Sequence, residues 1–275
     1  STGVKTYNMA IGVDMDTILL ENIVEILSKK GYMTGVIATS SITDATPAGF
    51  YAHTYNRYEY REIAMDLVKS EIDFFAGGGI KYFLDTTGIN HFKANGIEVN
   101  YTRLKKIRNP KPGDRYGFLL AADRMPMMRE GRKHFLRDAS SIAVDFLSSG
   151  DNGFFLMVEG SQIDWAGHGN QVDYMITEMI DFEEVVRSML EYAEEDGQTL
   201  VIVTADHETG GFTLGAAGEN GYDADYSIIE PTFATTNHSA ALVPVFAYGP
   251  GAENFAGVYE NTEIFHKILR LLLPE

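Results

Sequence analysis

Hydrophobic and polar residues alternate along this chain in blocks whose spacing changes from helix-like to strand-like. Between residues 17 and 30, apolar residues recur three and four positions apart, which places them on one face of a helix. These residues are Leu20, Ile23, Val24 and Leu27. Gly31 is suited to end that helix. A short apolar run at residues 35–38 follows and predicts a buried strand.

The same alternation continues to the end of the chain. Further helices are predicted at residues 59–69, 135–147, 172–193 and 261–273. Further strands are predicted at residues 73–76, 154–158, 200–203 and 242–248. Strand-length apolar runs separated by amphipathic helices are typical of a largely parallel central sheet with helices on both faces. The sequence therefore predicts an α/β fold.

One polar stretch interrupts this rhythm. Residues 90–114 carry Pro110, Pro112 and several lysines, which favours an excursion with some local structure. The chain shows no internal repeat and no low-complexity tract. We therefore predict a single α/β domain over residues 1–275 with a small elaboration around residues 90–114.

Composition narrows the classes of partner. The chain has 39 acidic and 22 basic side chains, a formal net charge of −17, which opposes binding to nucleic acid or to an anionic membrane. The absence of cysteine excludes disulfides and thiolate zinc sites. No apolar run approaches the ~20 residues that a membrane span requires. We expect neither a nucleic-acid partner nor a membrane span.

Residues that can bind metal ions follow three of the predicted strands. In open α/β sheets, ligands collect beyond the carboxyl ends of the strands. The residues there are Asp44 and Thr46 after the first strand, Glu159, Asp164 and His168 after the third, and Asp206 and His207 after the fourth. Three strand ends with such residues, in a chain with seven histidines, predict a metal centre.

The spacing of Asp164 and His168 sharpens this prediction. They are four residues apart, so a helical segment places both side chains on one face. Zinc accepts carboxylate oxygen and imidazole nitrogen, and a catalytic site with three protein ligands needs one more histidine. His238, just before the last predicted strand, is the natural candidate. The alternative is that the first two form a surface or capping pair and that His238 is an ordinary hydrogen-bonded side chain.

Several longer motifs resemble the alkaline phosphatase family. They are residues 157–168 (MVEGSQIDWAGH), 204–211 (TADHETGG), 243–251 (VPVFAYGPG) and 2–8 (TGVKTYN), together with the stretch from Asp44 through His53 to Arg57. The matches occur in the same order and run nearly end to end. The resemblance implies an alkaline-phosphatase-like fold and metal-dependent hydrolysis of phosphate monoesters.

Carried over position by position, the resemblance implies two zinc ions and one magnesium ion. The implied ligands are Asp164, His168 and His238 for the first zinc, Asp206 and His207 for part of the second, and Thr46 and Glu159 for the magnesium-type site. The implied phosphate-binding residues are Arg57, which would hold two phosphate oxygens, Asp44, which would orient the arginine or the magnesium waters, and Trp165, near the phosphate. An arginine suits this task because its planar fork matches phosphate oxygens.

The resemblance also implies what these 275 residues lack. In the family, the nucleophilic serine lies in an Asp-Ser-Ala segment shortly before the motif at residues 2–8, so Ser1 is not the nucleophile. The family's first strand, which carries an aspartate between the second zinc and the magnesium, is expected to be missing too. We therefore expect a phosphoserine intermediate in the intact enzyme and severely impaired activity in the chain as given.

The implied ligands are phosphate monoesters and inorganic phosphate. The resemblance further implies a periplasmic or secreted location and allows a homodimer. Two alternatives stay open. One is a non-catalytic zinc-binding module, and the other is a related metal-dependent phosphodiesterase.

Overall fold

The computed structural model describes residues 1–84, 91–218 and 224–273. The α-helices are α1 (Ile23–Lys29), α2 (Ala45–Ala48), α3 (Tyr60–Lys69), α4 (Ile80–Phe83), α5 (His91–Ala94), α6 (Phe135–Leu147), α7 (Gln162–His168), α8 (Val172–Asp196) and α9 (Glu263–Leu272). The strands are β1 (Met33–Ser41), β2 (Phe74–Gly78), β3 (Ile97–Asn100), β4 (Arg115–Ala121), β5 (Phe154–Glu159), β6 (Val201–Thr204), β7 (Glu208–Thr209), β8 (Thr213–Ala217), β9 (Asp225–Thr232), β10 (His238–Ser239) and β11 (Val245–Tyr248).

A five-stranded parallel sheet forms the centre, in the order β3-β4-β2-β1-β5. Val36 of β1 lies opposite Phe75 of β2 and Met157 of β5. Because all five strands run the same way, their carboxyl ends meet at one edge of the sheet. The predicted α/β fold with a largely parallel sheet is confirmed.

Neighbouring residues of each strand face opposite cores. Val36 and Phe75 pack in the cluster that includes residues of α1 and α3, whereas Ile37 and Phe74 pack in the cluster that includes residues of α6. All four side chains are fully buried. This alternation is the period of two that a strand imposes, and it shows why both faces of the sheet are covered by helices.

The later strands form separate two-stranded ribbons. β6 and β11 fall on the predicted strands, but they pair antiparallel with each other, and within the described ranges neither joins the five-stranded sheet. β8 and β9 form an antiparallel hairpin, and β7 pairs antiparallel with β10. α8 links the two regions, because it packs against β6 and its Phe182, Val185 and Met189 join the cluster below β5.

Two details of the predicted elements were wrong or incomplete. The first helix begins at Ile23 instead of residue 17, because Asn22 and Glu25 form a reciprocal capping box there. Upstream, Asp14 accepts hydrogen bonds from the amides of Asp16 and Ile18, which fixes a turn. β4 was not predicted, although it lies inside the sheet between β2 and β3.

The predicted elaboration around residues 90–114 supplies part of the main sheet. Its first residue, 90, lies outside the described residues, and the segment after it contains α5 and the edge strand β3. In the part of the chain that the structure describes, no helix is both long enough and apolar enough to cross a membrane.

Candidate metal centre

Helix α7 presents the predicted aspartate–histidine pair at the carboxyl edge of the sheet. β5 ends at Glu159, and the chain turns directly into the helix. Asp164 and His168 lie one helical turn apart, with Oδ1 of the aspartate 3.5 Å from Nε2 of the histidine. The two side chains therefore share a face, as their spacing predicts.

His238 joins them from a distant part of the chain. It lies on β10, paired with Thr209 of β7. Its Nε2 is 3.1 Å from Nε2 of His168 and 3.6 Å from Oδ1 of Asp164. Among the described residues these three form a group whose ligand atoms all lie within 4.8 Å of one another.

The geometry of this group suits a divalent cation. Ligand atoms held at about 2.0–2.1 Å from a tetrahedral zinc ion are separated by roughly 3.3 Å, close to the 3.1–3.6 Å found here. The Nδ1 of His168 donates to the carbonyl of Thr236 at 2.6 Å, so its Nε2 carries the lone pair. Burial and the neighbouring His207 lower the pKa of His238, which favours the neutral, metal-binding imidazole.

Asp206 and His207 lie directly beside this group. The His207 ring stacks on His238 with centroids 3.5 Å apart and 21° between the planes. Nε2 of His207 is 3.1 Å from Oδ2 of Asp206. Burial opposes the charge of Asp206, but its contact with His207 prevails and lowers its pKa. The pair adds a third imidazole and a second carboxylate next to the first group.

Thr209 connects the two groups and was not predicted as a site residue. Its hydroxyl donates to Oδ1 of Asp164 at 2.5 Å and accepts a hydrogen bond from Nδ1 of His207 at 3.1 Å. The residue is almost fully buried. It lies in the motif at residues 204–211, but a threonine hydroxyl gives no signal of this role without the fold.

Glu208 was also missed. Its carboxylate accepts hydrogen bonds from the amides of Gly211 and Phe212 and from the hydroxyl of Ser239. These contacts tie the β7 turn to the residue that follows His238. Glu208 thus fixes the position of His238 relative to His207 without contributing a ligand atom.

Glu159 and Thr46 meet near the end of β5. The Glu159 carboxylate accepts hydrogen bonds from the hydroxyls of Ser161, at 2.6 Å, and of Thr46. Burial raises the pKa of Glu159 to about 7, and the carboxylates of Asp206 and Asp44 add to the rise. A group of oxygen ligands that includes several carboxylates fits a hard cation such as magnesium.

Asp44 and Arg57 lie close to this acidic group. Asp44 occupies the position before α2, and burial raises its pKa to about 6 although the positive charge of Arg57 opposes the rise. The Arg57 guanidinium makes no hydrogen bond or ion pair with the described part of the chain, so its donors are open to an anion. Trp165 follows Asp164 on α7, and its ring lies 5.9 Å from the Arg124 guanidinium carbon.

A parallel α/β sheet whose carboxyl edge carries a carboxylate–imidazole cluster defines a class of metal-binding proteins suited to anionic ligands. The family model described as alkaline phosphatase matches residues 1–228 and 229–273. The chain belongs to the alkaline phosphatase family, whose members hydrolyse phosphate monoesters.

The relatives agree with this assignment. The chain is 33% identical to alkaline phosphatase 4 of Bacillus subtilis over 99% of its own length and 74% of that protein. It is 28% identical to alkaline phosphatase of Escherichia coli, over 97% of this chain and 70% of that protein.

A solved structure is closer in sequence. The alkaline phosphatase of the Antarctic bacterium TAB5 superposes with a TM-score of 0.93 at 51% identity, covering 99% of this chain and 81% of that one.

Proposed function

We propose that this protein hydrolyses phosphate monoesters with two zinc ions and one magnesium ion. Asp164, His168 and His238 would hold the first zinc. The observation that carries the proposal is the convergence of their three ligand atoms. Bound zinc would supply positive charge that stabilises the phosphoryl group during transfer.

The remaining metal ligands are assigned on the same grounds. Asp206 and His207 would form part of the second zinc site, and Thr46 and Glu159 would belong to the magnesium site. The shared hydrogen bond of Thr46 and Glu159, and the contact of Asp206 with His207, support these assignments. A mutant of the TAB5 alkaline phosphatase has a solved structure with Mg bound in a site called M3.

The substrate phosphate would be bound by Arg57. The planar guanidinium of Arg57, which makes no hydrogen bond or ion pair within the described ranges, can donate two parallel hydrogen bonds to phosphate oxygens. The Asp44 carboxylate, close enough to oppose that charge electrostatically, would orient the arginine or the waters of the magnesium ion. Trp165 would lie beside the bound phosphate and adjust its affinity.

We infer that hydrolysis in the intact enzyme passes through a phosphoserine intermediate. The resemblance places the nucleophilic serine, which would carry the phosphoserine intermediate, before Thr2. Ser1 instead supports α1, because its carbonyl accepts the amide of Ile23 at 2.9 Å. A periplasmic or secreted location and a homodimer follow from the family resemblance and belong to this proposal.

A binding experiment tests the function separately from turnover. Inorganic phosphate is titrated into the zinc- and magnesium-loaded chain by calorimetry, and Arg57→Lys is expected to weaken binding by about tenfold because lysine cannot form the bidentate pair. Arg103→Lys, at an exposed arginine, is the matched control and is expected to bind phosphate normally. Zinc binding without phosphate binding would support the non-catalytic zinc module instead.

A further inference from the structure

Three tyrosines form a row next to the proposed phosphate-binding arginine. The rings of Tyr60 and Tyr82 stack with centroids 4.7 Å apart and 23° between their planes, and the Tyr58 ring lies 6.3 Å from that of Tyr60. We call Tyr58, Tyr60 and Tyr82 the tyrosine row. Tyr60 and Tyr82 are partly buried, whereas Tyr58, at the end of the row, is 61% exposed.

The fold holds this row against the carboxyl edge of the sheet. Tyr58 directly follows Arg57, and Tyr60 is the first residue of α3. Tyr82 lies on α4, which begins two residues after β2 ends. The end of β2 is joined to the segment that carries Asp44, because the carbonyl of Gly78 accepts the amide of Ile42 at 3.1 Å.

The charges of Asp44 and Arg57, both assigned to the proposed phosphate pocket, affect the pKa of Tyr60 in the tyrosine row. Burial raises the pKa of Tyr60, the Asp44 carboxylate adds to the rise, and the Arg57 guanidinium opposes it. A positive charge also lies next to Tyr82. The Lys81 ammonium is 4.8 Å from the centroid of the Tyr82 ring and forms an ion pair with Asp123 at 2.8 Å. Tyr60 therefore lies within electrostatic range of Asp44 and Arg57, and the Lys81 ammonium lies over the Tyr82 ring at the other end of the row.

Packing accounts for only part of this arrangement. Tyr82 packs against the large cluster on one face of the sheet, so it has a role in the core. The ring of Tyr58 remains mostly in water and is tilted 59° from the Tyr60 ring. An exposed ring that extends a row of aromatic side chains beside an anion site offers a flat surface to the group attached to a phosphate.

We propose that the tyrosine row is the subsite for the leaving group of phosphate monoesters that carry a planar aromatic ring, such as the nucleobase of a nucleoside monophosphate. The inference rests on the proposed function, because Arg57 would hold the phosphate from which the aromatic group extends. Stacking of a base on an aromatic side chain tolerates many ring types, since every base has a π-face. The subsite thus selects aromatic over aliphatic phosphate esters.

Calorimetric titrations of the zinc- and magnesium-loaded chain with three ligands test the inference. Adenosine monophosphate is expected to bind about tenfold more tightly than glycerol 3-phosphate, and inorganic phosphate serves as the reference for the phosphate pocket. Tyr58→Ala is expected to remove most of the tenfold difference while leaving the affinity for glycerol 3-phosphate and inorganic phosphate unchanged. Tyr58→Phe keeps the ring and is expected to retain the preference.

The matched control is Tyr55→Ala. Tyr55 is 62% exposed and lies in the same segment, but its ring is outside the row. Equal affinities for adenosine monophosphate and glycerol 3-phosphate, with inorganic phosphate still bound, would overturn the inference and leave the proposed function intact. Equal losses in the Tyr55 and Tyr58 variants would also overturn it. Failure to bind inorganic phosphate would overturn the proposed function itself.

Discussion

Among the described residues, two of the sites that combine histidine with a carboxylate hold their imidazole rings in different ways. In one, His53 lies between the carbonyl of Gly12 and the carboxylate of Glu25, with distances of 2.8 Å from Nδ1 and 3.0 Å from Nε2. In the other, the Nε2 atoms of His168 and His238 face each other at 3.1 Å beside Asp164.

The hydrogen-bonding atoms explain the difference. Both nitrogens of His53 face oxygen acceptors, so the protonated ring can donate a hydrogen bond to each. Burial works against that charge, but the contacts with Gly12 and Glu25 prevail and raise its pKa. Two imidazole nitrogens that face each other cannot both donate. A cation that accepts both lone pairs satisfies them, with the carboxylate as counter-charge.

The comparison teaches how to separate structural from metal-binding histidines. Residue types do not distinguish the sites, because each has imidazole and carboxylate, and both lie in motifs that resemble the same family. The direction of the lone pairs distinguishes them. Three predictions test this distinction, beginning with the largest expected effect.

Loss of His238 should abolish tight zinc binding by the first group. His238→Ala leaves two protein ligands where a zinc site with an open position uses three, so the zinc affinity is expected to fall by about 100-fold or more. Competition with a fluorescent zinc chelator measures the change. His53→Gln is the control that the comparison requires, and it is expected to bind zinc like the native chain. Equal losses in both variants would remove the distinction.

The site shows how far the sequence predicts function. The four-residue spacing of Asp164 and His168 predicts their common face, because both lie on one short helix. The position of His238 depends on the antiparallel pairing of β10 with β7 and is not readable from any local pattern. Thr209 and Glu208 act through hydrogen bonds to ligands or to their neighbours, and such roles become visible only when the partners are placed in space.

Removal of the Thr209 hydroxyl should weaken zinc binding more modestly. Thr209→Val keeps the side-chain shape but deletes the hydrogen bonds to Asp164 and His207, so both ligands lose an orienting contact. We expect the zinc affinity to fall by about tenfold, within the range found for residues that orient metal ligands. The same chelator competition provides the measurement.

Thr213→Val is the matched control for this change. The Thr213 hydroxyl forms a hydrogen bond of 2.7 Å with Thr232 in the β8–β9 hairpin, apart from the ligands. Its replacement is expected to leave zinc affinity unchanged. An unchanged affinity in Thr209→Val would show that the ligands need no orienting hydroxyl.

The fold was predicted where burial on both faces leaves a clear pattern and missed where pairing depends on distant partners. Strands β1, β2 and β5 read as apolar runs because helices cover both faces of the sheet. β4 is equally well placed, and its apolar run Phe118-Leu119-Leu120 was a usable signal that the adjacent polar stretch obscured. The antiparallel pairing of β6 with β11 could not be predicted, since an apolar run carries no information about strand direction.

The smallest expected effect concerns His53. It tests whether the hydrogen bonds of this structural histidine stabilise its protonated ring. Its pKa is raised in the folded state above the ordinary value of 6.5, so its contribution to stability is full below pH 6.5 and is lost as the pH rises through the folded-state pKa. His53→Gln is therefore expected to destabilise the metal-free chain by about 1 kcal/mol more at pH 6 than at pH 9. Urea unfolding at both pH values measures this difference.

His134→Gln separates this effect from that of an ordinary surface pair. His134 lies 2.8 Å from Glu184, but its side chain is 49% exposed, whereas that of His53 is 17% exposed. Exposed ion pairs contribute little, so this variant is expected to show a much smaller pH-dependent change. A destabilisation by His53→Gln that is the same at both pH values would mean that folding leaves the pKa of the His53 ring unchanged. In that case the contacts of His53 do not favour its protonated form, and the contrast with the cation-binding histidines would fail.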